Sequence, residues 1–200
     1  GTVSVPAAWK GKSKLKLYAD LVMETDAVVG QVLEALENSG AAKNTLVVFT
    51  SDNGCAHYIG VGDLETKGHY PSGPLRGYKA DAWEGGHRMP FIARWPGRIQ
   101  AGSVSGQTIC FTDMLATFAA VVDAELPPDA GPDSFDILPV LLGKQPEAKA
   151  IRGPLVIPAR RGMMSIRSGH WKLITGLGSG GFSKPAHIKP TPGGPRGQLY

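Results

Sequence analysis

Two adjacent side chains, Asp52 and Asn53, have the chemistry of ligands for a hard cation. They follow the apolar segment Thr45 to Thr50, which has the composition of a strand, after one intervening residue, Ser51. A carboxylate beside an amide carbonyl offers two hard oxygen donors, which suit Ca²⁺ or Mg²⁺ better than a soft metal. Because Ca²⁺ takes about six to eight oxygens, the other ligands must come from elsewhere. The same residues also fit a simple tight turn, the commonest use of an Asn-Gly dipeptide.

A long loop follows these two residues. From Cys55 to Met89 the sequence shows no clear helical or alternating period, yet it carries many side chains able to bind or catalyse. A loop of this length in a compact domain is usually functional or disordered, and its composition favours function. Lys79 has the charge to bind an anion, and His69 and Arg76 are candidates for a substrate pocket, since arginine recognises sulfate and carboxylate groups well. All three also fit ordinary solvated loop residues.

The elements that must position this loop are those of an α/β fold. Apolar residues between Leu17 and Leu36 recur with the three-and-four spacing of an amphipathic helix, and Asn38-Ser39-Gly40 supplies a stop signal. The run Thr45 to Thr50 has no polar alternation, so we expect a strand buried on both faces of a parallel sheet. Ligands collect at the carboxyl ends of such strands. Pro90 to Trp95 is the next predicted strand.

A second helix and a small antiparallel subdomain are predicted further along the chain. Thr112 to Val122 has a helical pattern, and Thr112 could cap its first N–H groups. Met164 to Arg167 and Trp171 to Ile174, joined by a turn at Ser168-Gly169, predict a hairpin. We therefore place an α/β domain at 1–148 and the start of an antiparallel subdomain at 149–200. The Gly/Pro-rich end is expected to stop at 198–200 without a closing element.

Composition and charge exclude several classes of protein. The 27 glycines and 16 prolines among 200 residues predict long loops. The 21 basic and 17 acidic residues give a net charge of +4 without a basic stripe, so no nucleic-acid partner is predicted. No apolar run approaches the roughly 20 residues that span a bilayer, so we predict no membrane span. Cys55 and Cys110 could form at most one disulfide, which leaves the redox compartment open.

The segment 77–97, together with the residues before it, resembles the sulfatase family of the alkaline phosphatase-like superfamily. In that family a strand ending in Asp-Asn-Gly precedes a loop with a lysine, then Glu-Gly-Gly, a Pro-led strand and Trp-Pro-Gly. The same order occurs here in Asp52-Asn53-Gly54, Lys79, Glu84-Gly85-Gly86, Pro90 and Trp95-Pro96-Gly97. With the similar motifs at Thr25-Asp26, Thr112-Asp113 and 166–173, the resemblance covers about residues 18–173. It implies part of an alkaline phosphatase-like sheet flanked by helices.

The resemblance implies roles for particular residues. Asp52 and Asn53 become ligands of a Ca²⁺ ion, and Lys79 becomes a catalytic cation that contacts the sulfate ester. A divalent ion and an ammonium both stabilise negative charge on a sulfuryl group and on its departing oxygen. His69 and Arg76 stay candidates for substrate binding, with a sulfated small molecule or glycan as the implied substrate. An exported location, whether periplasmic, extracellular or lysosomal, is implied by the resemblance alone.

The resemblance also implies a nucleophile that this chain does not contain. Sulfatases use a formylglycine made from the Cys or Ser of a Cys/Ser-x-Pro-x-Arg motif far before the Asp-Asn-Gly strand, and neither Cys55 nor Cys110 has that context. Segment 72–76 matches the five-residue core but follows Asp-Asn-Gly, so we interpret it as a chance match. We therefore expect the C-terminal part of a sulfatase, inactive alone and unstable when isolated because an apolar strand edge is exposed. The formylglycine and the remaining calcium ligands are expected upstream.

Two other functions fit the same residues. A phosphoester or phosphonate hydrolase of the same superfamily would also use a charged loop beside a metal ion. A non-catalytic module for sulfated glycans would keep Lys79 and Arg76 for recognition only. A Cys/Ser-x-Pro-x-Arg motif upstream would favour the enzyme, whereas an intact upstream sheet without that motif would favour the binding module.

Overall fold

The chain folds into one long helix, two antiparallel sheets and several short helices. The computed structural model describes residues 3–200. Helix α1 spans Lys16–Asn38, and Gly40 beyond it has a left-handed φ of 74°. The predicted helix and its stop signal are therefore confirmed. Within residues 3–200, no helix combines the length and apolar character that crossing a membrane requires.

The segment predicted as a buried parallel strand forms an antiparallel ribbon instead. Strand β1 (Val47–Thr50) pairs with β2 (Phe91–Arg94), which confirms the second predicted strand, and the two form a sheet of their own. Phe49 is 36% exposed and Ile92 60% exposed. The expectation of a parallel strand buried on both faces is wrong for the described residues, because an apolar run specifies neither pairing direction nor what covers the sheet.

Short helical elements interrupt the long loop between these strands. A 3₁₀ turn at His57–Ile59 leads into helix α2 (Val61–Glu65), and a second 3₁₀ turn lies at Glu84–Gly86. These elements are too short to produce a hydrophobic period, so the sequence pattern could not indicate them.

The second predicted helix is confirmed, but its cap is not. A 3₁₀ turn at Phe111–Asp113 leads into helix α3 (Met114–Val121), and α4 (Leu138–Leu141) follows. The Asp113 carboxylate accepts the Cys110 N–H at 2.7 Å, whereas the Thr112 hydroxyl donates to the carbonyl of Asp133. Asp113 instead completes a capping box around the 3₁₀ turn, whose N-cap is Cys110, and helix α3 has no side-chain cap bond of its own.

The C-terminal residues form a four-stranded antiparallel sheet in the order β3-β4-β5-β6. Its strands are β3 (Leu155–Pro158), β4 (Met164–Ser168), β5 (Trp171–Ile174) and β6 (Gln198–Leu199). The predicted hairpin is confirmed, with Ser168 paired to Trp171 and the turn at Gly169-His170. Strand β6 closes the sheet against β5, so the expectation of an end without a closing element is wrong.

The main buried cluster joins the long loop to this C-terminal sheet. It contains Ala82, Trp83, Ala159, Met163 and Ile174. A side chain from the loop and one from the sheet also bond directly, since the Trp83 indole donates to Gln198 Oε1 at 3.1 Å. The long loop therefore packs on the C-terminal sheet. The division of the chain at 148/149 stays a prediction.

Candidate active site

Asp52 and Asn53 lie immediately beyond the carboxyl end of β1. The Asp52 side chain is exposed and makes no ion pair or hydrogen bond with residues 3–200. Asn53 is half-buried, and its Nδ2 donates to the Gly54 carbonyl at 3.1 Å. That bond orients the amide and leaves its carbonyl oxygen available as a ligand.

Gly54 packs directly on the Glu-Gly-Gly turn. Its N–H donates to the carbonyl of Gly86 at 3.0 Å, and a Cβ on Gly54 would come within 1.7 Å of the Gly85 oxygen. Gly85 in turn donates to the Arg76 carbonyl at 2.8 Å. Only glycine permits this approach, so the turn holds the end of β1 against the loop.

A backbone hydrogen bond brings Lys79 close to the segment that carries Asp52 and Asn53. Its N–H donates to the carbonyl of Cys55 at 2.8 Å, two residues after Asn53. The side chain is half-buried, and its ammonium has no ion pair in the part of the chain that the structure describes. The structure therefore brings together the chain segments that carry Asp52, Asn53 and Lys79.

Ala80, next to Lys79, has a left-handed backbone with a φ of 77°. A non-glycine residue in this region carries a cost of about 1–2 kcal/mol. Its carbonyl accepts the Arg160 N–H at 3.1 Å, and Gly181 lies so close that a Cβ there would come within 2.3 Å of the Ala80 oxygen. The C-terminal residues thus hold the backbone that carries Lys79.

Asp81 fixes the other side of this turn. Its side chain is buried and accepts the Tyr78 N–H at 2.9 Å and the Ser183 N–H at 3.0 Å. The Ser183 hydroxyl donates to the same carboxylate at 2.5 Å. Neither Asp81 nor Ser183 lies in a motif that predicts a role for it. The cluster Gly178 to Gly181 was the available signal, because consecutive glycines often mark a close backbone approach.

Arg76 and His69 contact different parts of the structure. The Arg76 guanidinium stacks 3.7 Å above the Trp83 ring and donates to the Tyr200 hydroxyl at 3.0 Å. The His69 ring instead packs against Tyr18, with 5.9 Å between ring centroids, and its buried Nε2 has no hydrogen-bond partner within residues 3–200. The structure therefore joins Arg76 to the Lys79 loop through Gly85 and Trp83, and it shows no such link for His69.

Tyr78, the residue before Lys79, is half-buried. The Tyr78 hydroxyl donates to Glu65, and burial together with this carboxylate raises the pKa of Tyr78 to about 12. Burial also raises the pKa of the Cys55 thiol, against an opposing hydrogen bond with Tyr18. Cys55 is a free cysteine, and its burial disfavours the thiolate, which is the nucleophilic form of a cysteine.

Glu84 connects the Glu-Gly-Gly turn to the C-terminal hairpin. Its carboxylate pairs with Lys172 and Arg167, each at 2.8 Å. Burial alone would raise the pKa of Glu84, but His87, whose Nε2 lies 3.5 Å from the carboxylate, and the bonds from Lys172 and Arg167 outweigh it and hold that pKa well below its ordinary value. Burial lowers the pKa of Lys172 despite Glu84. The ion pair therefore offsets only part of the cost of burying the lysine.

The donor set is compatible with part of a calcium site. Within residues 3–200, no group of three or more His, Cys, Asp or Glu side chains is arranged to hold a metal ion. Asp52 and Asn53 supply oxygen donors of the kind that Ca²⁺ prefers, but only two of the roughly six to eight it takes. Further ligands would have to complete the set.

Comparison with known proteins gives a consistent result. The family model described as Sulfatase matches residues 3–124. The chain is 35% identical to an N-acetylgalactosamine-6-O-sulfatase of Bacteroides thetaiotaomicron over 82% of this chain and 32% of that protein. It is 43% identical to the steryl-sulfatase of Rattus norvegicus over 66% of this chain and 23% of that protein.

A solved structure is similar as well. This structure, described in connection with the metabolism of multiple glycosaminoglycans by Bacteroides thetaiotaomicron, matches with a TM-score of 0.79 at 30% identity. The match covers 97% of this chain and 40% of the other. The chain therefore spans roughly a quarter to two fifths of the length of the proteins it matches.

Proposed function

Because this chain belongs to the sulfatase family, we propose that the complete protein hydrolyses sulfate esters and that residues 52–87 form part of its active site. The observation that carries the proposal is the bond from the Lys79 N–H to the Cys55 carbonyl at 2.8 Å. It ties the candidate cation to the segment that begins with the candidate metal ligands. The bond thereby places the Lys79 ammonium and a metal ion bound at Asp52 and Asn53, both suited to stabilising negative charge, on neighbouring backbone segments.

Lys79 is proposed to contact the sulfate ester. Negative charge grows on the sulfuryl oxygens and on the leaving oxygen as the ester bond breaks, and a positioned ammonium stabilises that charge. The left-handed Ala80 and the buried Asp81 fix the backbone on the C-terminal side of Lys79. This pre-organisation lets the ammonium act without a rearrangement of the loop.

Asp52 and Asn53 are proposed to be two of the ligands of a Ca²⁺ ion. When bound, the ion would polarise the sulfate, and a formylglycine in the complete protein would supply the nucleophile. Within this chain, Asp52 offers an exposed carboxylate and Asn53 an amide carbonyl that its own Nδ2 bond orients. Gly54, packed on Gly85, keeps both next to the Lys79 loop.

A sulfated glycan or small molecule is the proposed substrate. The bacterial relative is named for a sulfated N-acetylgalactosamine, and the rat relative is named a steryl-sulfatase. Arg76 is a candidate for substrate binding because its guanidinium, though stacked on Trp83, is exposed and has five N–H donors. His69 is a second candidate, and its Nε2 is buried without a hydrogen-bond partner within residues 3–200.

The test uses the complete protein and a Lys79→Gln variant. We expect the native protein to hydrolyse para-nitrophenyl sulfate or a sulfated monosaccharide, and we expect Lys79→Gln to lower kcat/KM by about 100- to 1,000-fold. Lys144→Gln is the matched control, because Lys144 is exposed and makes no ion pair in the described part of the chain. It should leave the rate unchanged.

Two results would overturn the proposal. Hydrolysis of para-nitrophenyl phosphate without any hydrolysis of sulfate esters would favour a phosphoester hydrolase. Tight binding of sulfated glycans without turnover would favour a binding module. Peptide mass mapping of the protein from its natural source adds an independent readout, because the proposed mechanism requires a Cys or Ser converted to formylglycine.

A further inference from the structure

A cluster of one cationic and two aromatic side chains lies near the Lys79 turn. The Arg160 guanidinium carbon lies 4.4 Å from the Phe182 ring centroid, and the ring of His57 packs against Phe182 at 5.2 Å. We call these three residues the Arg160 cluster. Its members come from three separate segments of the chain, and none has a role in the proposed chemistry.

The Arg160 cluster is anchored on both sides of Lys79. His57 lies two residues after Cys55, whose carbonyl accepts the Lys79 N–H, and the Arg160 N–H donates to the carbonyl of Ala80. Phe182 is fixed between two contacts with the same turn. Gly181 packs on Ala80, and Ser183 bonds the Asp81 carboxylate. The cluster is thus attached to the residues immediately before and after the candidate catalytic cation.

Charge and exposure give the Arg160 cluster the character of an anion subsite. Arg160 and His57 are exposed, and within residues 3–200 Arg160 has no ion-pair partner. The nearby Asp81 is buried and already accepts bonds from Tyr78 and Ser183. A guanidinium held on an aromatic face loses little freedom when it binds an anion, and its planar fork matches the oxygens of a sulfate or carboxylate.

From this arrangement we propose that Arg160, held on Phe182, binds a second anionic group of the substrate. The preferred substrate is then a sulfated glycan that carries another sulfate or a carboxylate beside the ester that is hydrolysed. This inference rests on the proposed function, since it uses the position of Lys79 to define where that ester lies. Arg160 acts in specificity and not in the bond-breaking step.

The experiment compares substrates that differ only in the second anion. The complete protein is assayed with para-nitrophenyl sulfate, a monosulfated disaccharide, a disulfated disaccharide and a monosulfated disaccharide bearing a uronate carboxylate. We expect Arg160→Ala to raise KM about tenfold for the substrates with a second anion, the loss of one charge-assisted contact, and to change neither of the other two. The disulfated and uronate arms identify which anion the subsite takes.

Two further variants separate recognition from structure. Arg161→Ala is the matched control, because Arg161 is also exposed and also uses its backbone N–H, bonding to Gly180 at 3.0 Å, but makes no aromatic contact among residues 3–200. It should leave every KM unchanged. Arg160→Lys should restore part of the loss, since it keeps the charge without the fork.

Several outcomes would contradict the subsite. An equal loss on all four substrates would indicate a structural role for Arg160, and no loss on any would remove it from the site. If the native protein hydrolyses no sulfate ester, the proposed function fails on its own. Calorimetric titration with the disulfated disaccharide then still tests the subsite, because Arg160→Ala must weaken binding where Arg161→Ala does not.

Discussion

The backbone of Ala80 has a conformation that is unfavourable for a residue with a Cβ atom. Its φ of 77° lies where an L side chain crowds the following carbonyl. The conformation persists because Arg160 and Gly181 hold the Ala80 carbonyl from the C-terminal side. Strain of this kind collects where a site needs one fixed geometry, and here it occurs next to Lys79.

Replacing Ala80 by Gly should stabilise the complete protein. Removal of about 1–2 kcal/mol of strain exceeds the roughly 0.5–1 kcal/mol that glycine adds to the entropy of the unfolded chain. The free energy of unfolding in urea should therefore rise by about 0.5–1 kcal/mol. Ala35→Gly, in the exposed right-handed interior of α1, should lower it by about the same amount. Equal losses in both variants would contradict the strain at Ala80.

The candidate metal ligands and the candidate catalytic lysine could be proposed from the sequence because they lie in a spaced motif. Ala80, Asp81 and Arg160 could not. A positive φ at alanine has no signature in the sequence, and the partner of a buried carboxylate depends on which distant segment folds against it. Asp81 and Ser183 are 102 residues apart, beyond the reach of any local pattern.

At the scale of elements, the Glu84 ion pairs hold the Glu-Gly-Gly turn to the hairpin of β4 and β5. Lys172 is 1% exposed and Glu84 is its only acidic partner within residues 3–200. Removing one partner of a buried pair leaves an uncompensated charge, at a cost of about 3–5 kcal/mol.

Glu84→Gln should therefore lower the free energy of unfolding by about 3–5 kcal/mol, measured by urea denaturation of the complete protein. The double variant Glu84→Gln/Lys172→Met should recover at least half of that loss, because both charges are then gone. Losses that simply add in the double variant would contradict a direct coupling between the two residues.

Lowering the pH should weaken the ion pairs that Glu84 makes with Lys172 and Arg167. The folded pKa of Glu84 lies below its unfolded value, so its stabilisation is complete above the ordinary carboxyl pKa of about 4.3 and is lost as pH falls towards the folded pKa. We expect the free energy of unfolding to fall below about pH 4.3, and to fall less steeply in Glu84→Gln. An identical pH dependence in both proteins would contradict this role for Glu84.

The α/β class and its resemblance to sulfatase structures could be predicted from the sequence, and the solved structure matching 97% of the chain confirms them. Helix α1 and the hairpin of β4 and β5 could be predicted because each has a local period or turn signal. The antiparallel pairing of β1 with β2 could not, because it joins segments that are separated by the long loop. Strand β6 has only two residues, Gln198–Leu199, too few for any pattern.

On the scale of the whole molecule, many apolar side chains are exposed to solvent. Val22, Val28 and Val32 of α1 are each 50% exposed, and Val122 is 71% exposed. Val28 and Val32 are four residues apart and share one face of the helix, and an exposed apolar face favours association. The relatives have three to four times the length that this chain covers, which leaves ample sequence in them to cover such a face.

The 200-residue polypeptide, expressed by itself, should therefore associate. We expect sedimentation velocity to show oligomers and a fluorescent apolar dye to bind. Val28→Gln/Val32→Gln should reduce both signals, whereas Gln31→Ser, at a polar position of the same helix, should not. A monomer that unfolds cooperatively on heating would contradict the prediction.

The distance in sequence between Glu84 and Lys172 also sets an order of events during synthesis. The two residues are 88 positions apart, and a ribosome adding roughly 5–20 residues per second needs about 4–18 s to cover that interval. Throughout that time the Lys79 turn lacks the hairpin, the glycine-rich segment and Ser183 that hold it in the finished protein. The nascent chain therefore carries its candidate catalytic lysine on an unsupported loop until β4, β5 and the segment with Ser183 have left the ribosome.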